Sequence, residues 1–249
     1  MSQSNVLIGA QSWTAFNEWW EASPFSSVFI LVDEKSALHC LPVFLEHSPQ
    51  IQKASFIKIL SGESNKTLVT CAAIWEQLSL KADRNSLLIN LGGGVITDIG
   101  GFAAACFKRG ITFVNIPTTL LAMVDAAIGG KTGIDFMGLK NEIGVFNPAE
   151  KVVIDPVFLK TLPERELKAG FAEMLKHGLI ADAAYWKKLT TKAIADVDAA
   201  EWTDLIQQSL DIKSKIVAED PLDKGVRQAL NFGHTIGHAI ELKYGLPHG

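Results

Sequence analysis

The chain has 249 residues, 48% hydrophobic and 20% charged, with a formal net charge of −4. That is long enough for one large domain or two smaller ones around a buried core. The mildly acidic balance, without any Lys/Arg-rich run, argues against a nucleic-acid partner.

In chain order, Val28 to Val32 (VFILV) is a continuous apolar run ending at Asp33, as expected of a parallel strand buried on both faces. Ser36 to Glu46 reads as a helix, Ala54 to Ile59 as a strand and Lys66 to Leu80 as a helix. Leu87 to Leu91 (LLINL) is a second buried strand, followed by a glycine turn and a helix through Phe107. Thr112 to Ile116 is a further strand, stopped by Pro117. This β–α alternation predicts an open α/β sheet with right-handed crossovers. Beyond Pro156 the spacing becomes helical, over Glu164 to Leu189, Ala200 to Ala218 and Gly225 to Tyr244, with Pro163 and Pro221 marking boundaries. The prediction is an α/β domain over residues 1–156 and a helical domain over 157–249, with a ligand cleft between them.

Nothing suggests export or membrane insertion. The apolar stretches near Phe102 to Phe107 and Leu120 to Ile128 are short or interrupted by Asp125, and the N-terminus lacks a basic region followed by an apolar one. Cys40, Cys71 and Cys106 are odd in number and lack CxxC spacing, so they read as reduced thiols of a cytoplasmic protein.

Three segments carry chemistry. GGGVITD (Gly92 to Asp98) joins a strand to a helix; its glycines let backbone N–H groups approach a phosphate at the helix N-terminus, which is more than a plain turn requires. It is not GxGxxG, because Thr97 takes the last glycine position. Asp125 to Asn141 packs an acid, two lysines and an amide into a glycine-rich and weakly structured stretch, suited to closing on an anion. IGGKTG within it is not a P-loop, since Asp125 stands where the first Walker glycine belongs; Lys131 reads as a cation for a substrate phosphate or carboxylate.

Glu173 and Lys176 share one face of a predicted helix, which by itself reads as a surface ion pair. His234 and His238 stand at the i, i+4 spacing that suits a metal as well as simple packing. With Glu173 and His248, a set of one carboxylate and two imidazoles is available for a catalytic zinc, and spacing does not say which two histidines bind. SGESNK (61–66) opens a helix and, on local sequence, reads as a capping turn.

Taken together and in order, SGESNK (61–66), GGGVITDIGGF (92–102), KRG (108–110), PTTLLAMVD (117–125), GGKTGID (129–135), LKN (139–141), TLPERE (161–166), AEMLK (172–176), LNFGHTIGHAIE (230–241) and HG (248–249) resemble the 3-dehydroquinate synthase family of sugar-phosphate cyclases. The resemblance implies a Rossmann-like parallel-sheet domain followed by an all-helical domain, usually in a homodimer. It implies a phosphate-eliminating lyase of the shikimate pathway, dependent on NAD and a divalent metal, zinc before cobalt. The implied reaction turns 3-deoxy-D-arabino-heptulosonate 7-phosphate into 3-dehydroquinate by transient oxidation, β-elimination, reduction and aldol closure.

By motif match, NAD would be contacted by Asp33, by Ser61, Gly62, Glu63, Ser64, Asn65 and Lys66, and by Gly93, Gly94, Val95, Ile96, Thr97 and Asp98. Thr118, Thr119, Lys131, Lys140, Phe158, Leu159, Lys160 and Thr161 would complete that site. The metal would be held by Glu173, His234 and His248. Substrate would meet Asp125, Lys131, Lys140, Asn141, Lys176, Lys213, Arg227, Asn231 and His238, with Arg109 reaching across the dimer.

This sequence departs from the family pattern at Thr97, Ala126-Ala127, Asp135 and Asn147-Pro148. HG at 248–249 falls inside a longer family motif, so roughly the last third of the helical domain is expected beyond the chain. Competing readings are another sugar-phosphate cyclase, a metal- and NAD-dependent polyol dehydrogenase, and a shortened chain that only binds nucleotide.

Overall fold

A computed structural model describes residues 5–191 and 193–244, apart from the side chains of His238 and Leu242. Six parallel strands make the central sheet: β1 (Val6–Ile8), β2 (Val28–Asp33), β3 (Ser55–Ile59), β4 (Leu87–Gly92), β5 (Thr112–Pro117) and β8 (Lys151–Ile154), in spatial order β1-β8-β5-β4-β2-β3. The central strand β4 is buried at all six positions. Its Ile89 pairs with Ile30 on one side and Val114 on the other. Each such aliphatic side chain contributes about 1.5–3 kcal/mol on burial, so an unbroken apolar run is what this position in a two-sided sheet requires.

Helices α1 (Ser12–Glu21), α2 (Glu34–His39), α3 (Leu41–His47), α4 (Leu68–Ser79) and α5 (Gly94–Cys106) connect these strands. The single helix predicted over Ser36 to Glu46 is two. Cys40 separates them, and Pro42 in the first turn of α3 has no N–H to continue the earlier hydrogen-bond ladder. The helix predicted from Lys66 begins at Leu68, with the Thr67 side chain accepting from Thr70 N–H as its cap. β1, α1 and β8 lie outside the predicted elements.

The stretch from Asp125 to Asn141 is more ordered than predicted. A π-helical turn, Ala122–Ala126, presents Asp125. Then β6 (Lys131–Phe136) and β7 (Leu139–Phe146) form a separate antiparallel ribbon, with a register irregularity between Ile134 and Phe136. At Gly133 and Gly144 the two backbones approach so closely that an added Cβ would lie 2.7 and 2.5 Å from a carbonyl oxygen of the facing strand.

After β8 the described chain is helical: α6 (Glu164–Ala181), α7 (Ala183–Thr190), α8 (Ala199–Glu219) and α9 (His234–Tyr244). The predicted helix over Glu164 to Leu189 breaks at Asp182, whose side chain caps α7. The one predicted from Gly225 breaks at Phe232 and Gly233, after a 3-10 segment over Val226–Asn231; Gly233 has φ +82°, which ends a right-handed helix.

Candidate active site

At the C-terminal ends of β2, β4 and β5 a cavity of about 1030 Å³ opens between the sheet and the helical half. This is where parallel α/β sheets ordinarily take ligands, because helix N-termini converge there. Most of the predicted residues meet in it: Asp33, Ser61, Gly62, Glu63, Lys66, Gly93, Gly94, Val95, Asp98, Thr118, Thr119, Phe158 and Thr161 on one side. Asp125, Lys131, Lys140, Asn141, Lys176, Lys213, Arg227, Asn231 and His234 line the other.

Several predicted residues do not line it. Ile96 and Thr97 are on the buried face of α5, with the Thr97 hydroxyl donating to the Gly94 carbonyl at 3.0 Å. Leu159 is in the core, Lys160 is exposed, and Ser64 and Asn65 face away from the cavity on the 61–66 turn. Arg109 is exposed on a turn at φ +70°, outside the cavity. His248 and the His238 side chain lie outside the described residues.

The nucleotide side is built from backbone. Gly93 is the N-cap of α5 and offers no side chain, so the first-turn N–H groups of a 13-residue helix face the cavity uncapped. A Cβ on Gly93 would sit 3.0 Å from Thr119 Cγ2, and one on Gly94 3.3 Å from the Ala126 Cβ, so the turn is filled to its walls by glycine alone. An uncapped helix end in a glycine cradle fits a pyrophosphate. One turn on, Asp98 faces Lys66, whose Nζ is 3.3 Å from Asp98 Oδ2, 2.9 Å from Glu63 Oε1 and 3.5 Å from Asp135 Oδ1. Burial pushes the Asp98 carboxyl up to about 7 against the pull of Lys66.

The opposite side is built from charged side chains. Glu173 and Lys176 on α6 do pair, but the pair is buried rather than on the surface: their side chains are 5% and 9% exposed. Lys176 also donates to the Leu230 carbonyl. Lys213 on α8 pairs with the Asp125 carboxylate and donates to the Asp125 carbonyl at 2.6 Å. Burial works to raise the Asp125 carboxyl, yet Lys213 and Lys176 outweigh it and hold it well below the usual carboxylate range. Glu173 moves the other way, raised by burial and by the neighbouring Asp125.

Arg227, 3% exposed, donates to the carbonyls of Pro221 at 2.9 Å and Gly129 at 3.2 Å. Gly129 is at φ +96°, and a Cβ there would sit 2.9 Å from the Arg227 guanidinium. Lys131 pairs with Asp223, and Lys140 reaches Glu241 at 3.4 Å.

His177, one residue beyond Lys176, was passed over in the sequence. It lies four residues after Glu173 on the same helix face, the very spacing that drew attention to His234 and His238. It is fully buried, with Nδ1 2.6 Å from Ser209 Oγ, and its Nε2 has no hydrogen-bond partner and lies 3.7 Å from Glu173 Oε1. Burial brings its imidazole down to about 3, so it is neutral at ordinary pH. Among the described residues, donor atoms of Asp125, Glu173 and His177 lie within 4.8 Å of one another. Two carboxylates and a neutral imidazole suit zinc or cobalt. Of the predicted metal ligands, Glu173 belongs to this group, whereas His234 stands at the cavity wall with Nδ1 donating to the Phe232 carbonyl at 3.3 Å.

A parallel sheet with a glycine turn at its switch point, facing a helical half rich in buried cations and carboxylates, is the arrangement of the sugar-phosphate cyclases. A 2-deoxy-scyllo-inosose synthase solved with carbaglucose-6-phosphate, NAD+ and Co2+ superposes at TM-score 0.85 and 26% identity, over 98% of this chain and 69% of that one. The 2-epi-5-epi-valiolone synthase of Streptomyces hygroscopicus, solved with NAD+ and Zn2+, gives 0.81 and 27% over 95% of this chain and 67% of that one. An NADH-dependent butanol dehydrogenase of Thermotoga maritima, at 0.70 and 13% identity over 97% of this chain and 68% of that one, shares the fold.

The chain belongs to the 3-dehydroquinate synthase family. Residues 56–169 match the family's N-terminal model and residues 170–249 its C-terminal model. The 3-dehydroquinate synthase of Parabacteroides distasonis is 47% identical over 97% of this chain, and that of Acetivibrio thermocellus 47% over 88%. The chain spans 68% and 61% of the length of these two relatives. No helix among the described residues is long and apolar enough to cross a membrane.

Proposed function

We propose that this chain carries 3-dehydroquinate synthase chemistry, eliminating phosphate from 3-deoxy-D-arabino-heptulosonate 7-phosphate and closing the ring. The observation that carries the reading is that one cavity joins an uncapped glycine-cradled helix end to a buried cluster of carboxylates, lysines and arginine. Bound there, NAD supplies a reversible hydride acceptor and the metal a Lewis acid for substrate oxygens.

The chain's own groups do the rest. The first turn of α5 and Lys66 hold the nucleotide, while Asp98 hydrogen-bonds its ribose or nicotinamide. Lys131, Lys140, Arg227 and Asn141 bind and orient the phosphate and carboxylate of a doubly charged sugar acid. Lys176 and Lys213 keep Asp125 ionised in a partly buried site, Lys176 pairs with Glu173, and His238 is the candidate proton relay. Glu173, with His234 and His248 as the family match implies, or with Asp125 and His177 as their proximity suggests, would hold the metal. We take residues 1–156 as the nucleotide domain and 157–249 as metal- and substrate-binding, and Arg109 as serving the site of a second copy in a homodimer.

The test adds heptulosonate phosphate, NAD and zinc and follows phosphate release together with the absorbance of reduced nicotinamide. Catalytic phosphate release without accumulating NADH, and with dehydroquinate formed, is the expected result. Accumulating NADH without phosphate would identify a dehydrogenase instead. In Glu173→Ala, bound zinc measured by elemental analysis should be lost; a folded variant that keeps its zinc would sink this ligand assignment.

A further inference from the structure

The β6–β7 ribbon lies outside the main sheet, so something besides a sheet ladder must fix it over the cavity. Its two strands carry a matched pair of irregularities. The register shifts beside Asp135 on β6, and Asn141 on β7 adopts φ +55°. A bulge re-aims the side chain next to it, and a non-glycine residue in the left-handed region costs about 1 kcal/mol unless its surroundings hold it there.

Asp135 is what holds it. Its Oδ1 accepts from the Asn141 N–H at 2.8 Å, its own N–H donates to the Lys66 carbonyl at 2.8 Å, and the same carboxylate oxygen is 3.5 Å from Lys66 Nζ. Lys66 Nζ in turn donates to Asn141 Oδ1 at 2.7 Å. Asp135, Lys66 and Asn141 therefore close a triangle. Lys66, 3% exposed, belongs to the nucleotide turn; Asn141 and its neighbour Lys140 belong to the substrate side; Asp135 itself is behind the cavity wall.

We propose that Asp135 is a positioning residue that ties the 61–66 nucleotide turn to the Lys140–Asn141 segment, so that an occupied nucleotide site presets the groups that receive an anionic sugar acid. This coupling rests on the proposed function. The physical logic is that of preorganisation. A nucleotide ordering Lys66 orders Asn141 through a carboxylate already bonded to both, and the substrate then meets a segment whose ordering cost is already met.

Three measurements on the 249-residue chain test it: calorimetric titration with NAD, titration with heptulosonate phosphate with and without NAD, and amide hydrogen exchange at Asn141. In the unaltered protein, NAD should tighten heptulosonate phosphate binding. Asp135→Ala should weaken that binding about tenfold, the size of one lost charge-assisted hydrogen bond, remove its dependence on NAD, and speed Asn141 exchange by a similar factor. Asp135→Asn keeps an oxygen acceptor for the Asn141 N–H and should recover both to within about threefold.

Indifference of affinity and exchange to Asp135→Ala would overturn the coupling, as would Asp135→Asn behaving as badly as Asp135→Ala. An unaltered chain that binds neither ligand overturns the functional reading and the coupling together. An unaltered chain that binds both, alongside an indifferent variant, removes the coupling alone.

Discussion

The two walls of the cavity are made in opposite ways. At Gly93 and Gly94 the wall is backbone: one strand, one turn and one helix, contiguous in sequence, with no side chain needed to present the N–H groups. Across from it the wall is side chain. Asp125 comes from a π-helical turn, Lys176 from α6 with Glu173 paired behind it, Lys213 from α8 and Arg227 from a 3-10 segment, each held by a partner elsewhere in the chain. The first wall follows from local geometry and tolerates change outside the turn. The second is a mutual arrangement in which every member leans on a partner, so removing one leaves another buried and unpaired.

That contrast predicts graded consequences. The largest belongs to the charged wall: Lys176→Met should cost about 3 kcal/mol of stability in metal-free protein by stranding Glu173, read by urea unfolding, and added zinc should restore much of it. If the variant were as stable as the original, the mutual arrangement would be fiction. On the backbone wall, Gly93→Val should weaken NAD binding by about 2 kcal/mol as the turn is forced off Thr119; calorimetry with NAD measures it. Lys140→Ala is smaller, with an expected loss of about tenfold in heptulosonate phosphate affinity and little change for NAD. Equal losses for both ligands would erase the division between the walls.

A separate effect concerns pH. The folded Asp98 carboxyl, raised to about 7, binds a proton that the unfolded chain has already released, so its contribution to stability declines as pH rises from about 4 to 7 and is level above that. Asp98→Asn should flatten that decline, followed by thermal unfolding across this range. An unchanged slope would mean that Lys66 alone keeps Asp98 ionised.

How much the sequence discloses follows the same division. LLINLGGGVITD announces its strand, turn and helix because apolar run, glycines and helix start are neighbours, and the structure agrees to within a residue or two. The β6–β7 ribbon is hidden because LKNEIGVF is exposed or half-exposed along its whole length and so has no apolar alternation to read. Its cohesion is cross-strand hydrogen bonding and the close approach at Gly133 and Gly144, neither of which leaves a periodic trace. The Glu173–Lys176 spacing correctly gave a pair, but spacing carries no information on burial, which comes from Leu230 and α8 arriving from far along the chain. His177 stands four residues after Glu173, but a lone histidine in an otherwise amphipathic helix carries no signal that separates a ligand from a packed core residue.

The sheet's own topology sets a timetable for its manufacture. β1 makes its ladder only with β8, so Val6 waits for Val152 before it has a neighbour. At a ribosomal pace of ~5–20 residues per second, that delay is on the order of ten seconds, and for the last few of them the apolar flank of β5 stays open to whatever else is nearby. A nascent chain halted before β8 would thus display a four-strand sheet in which β5 is an edge that the finished sheet covers, the state in which a holding chaperone has most to grip.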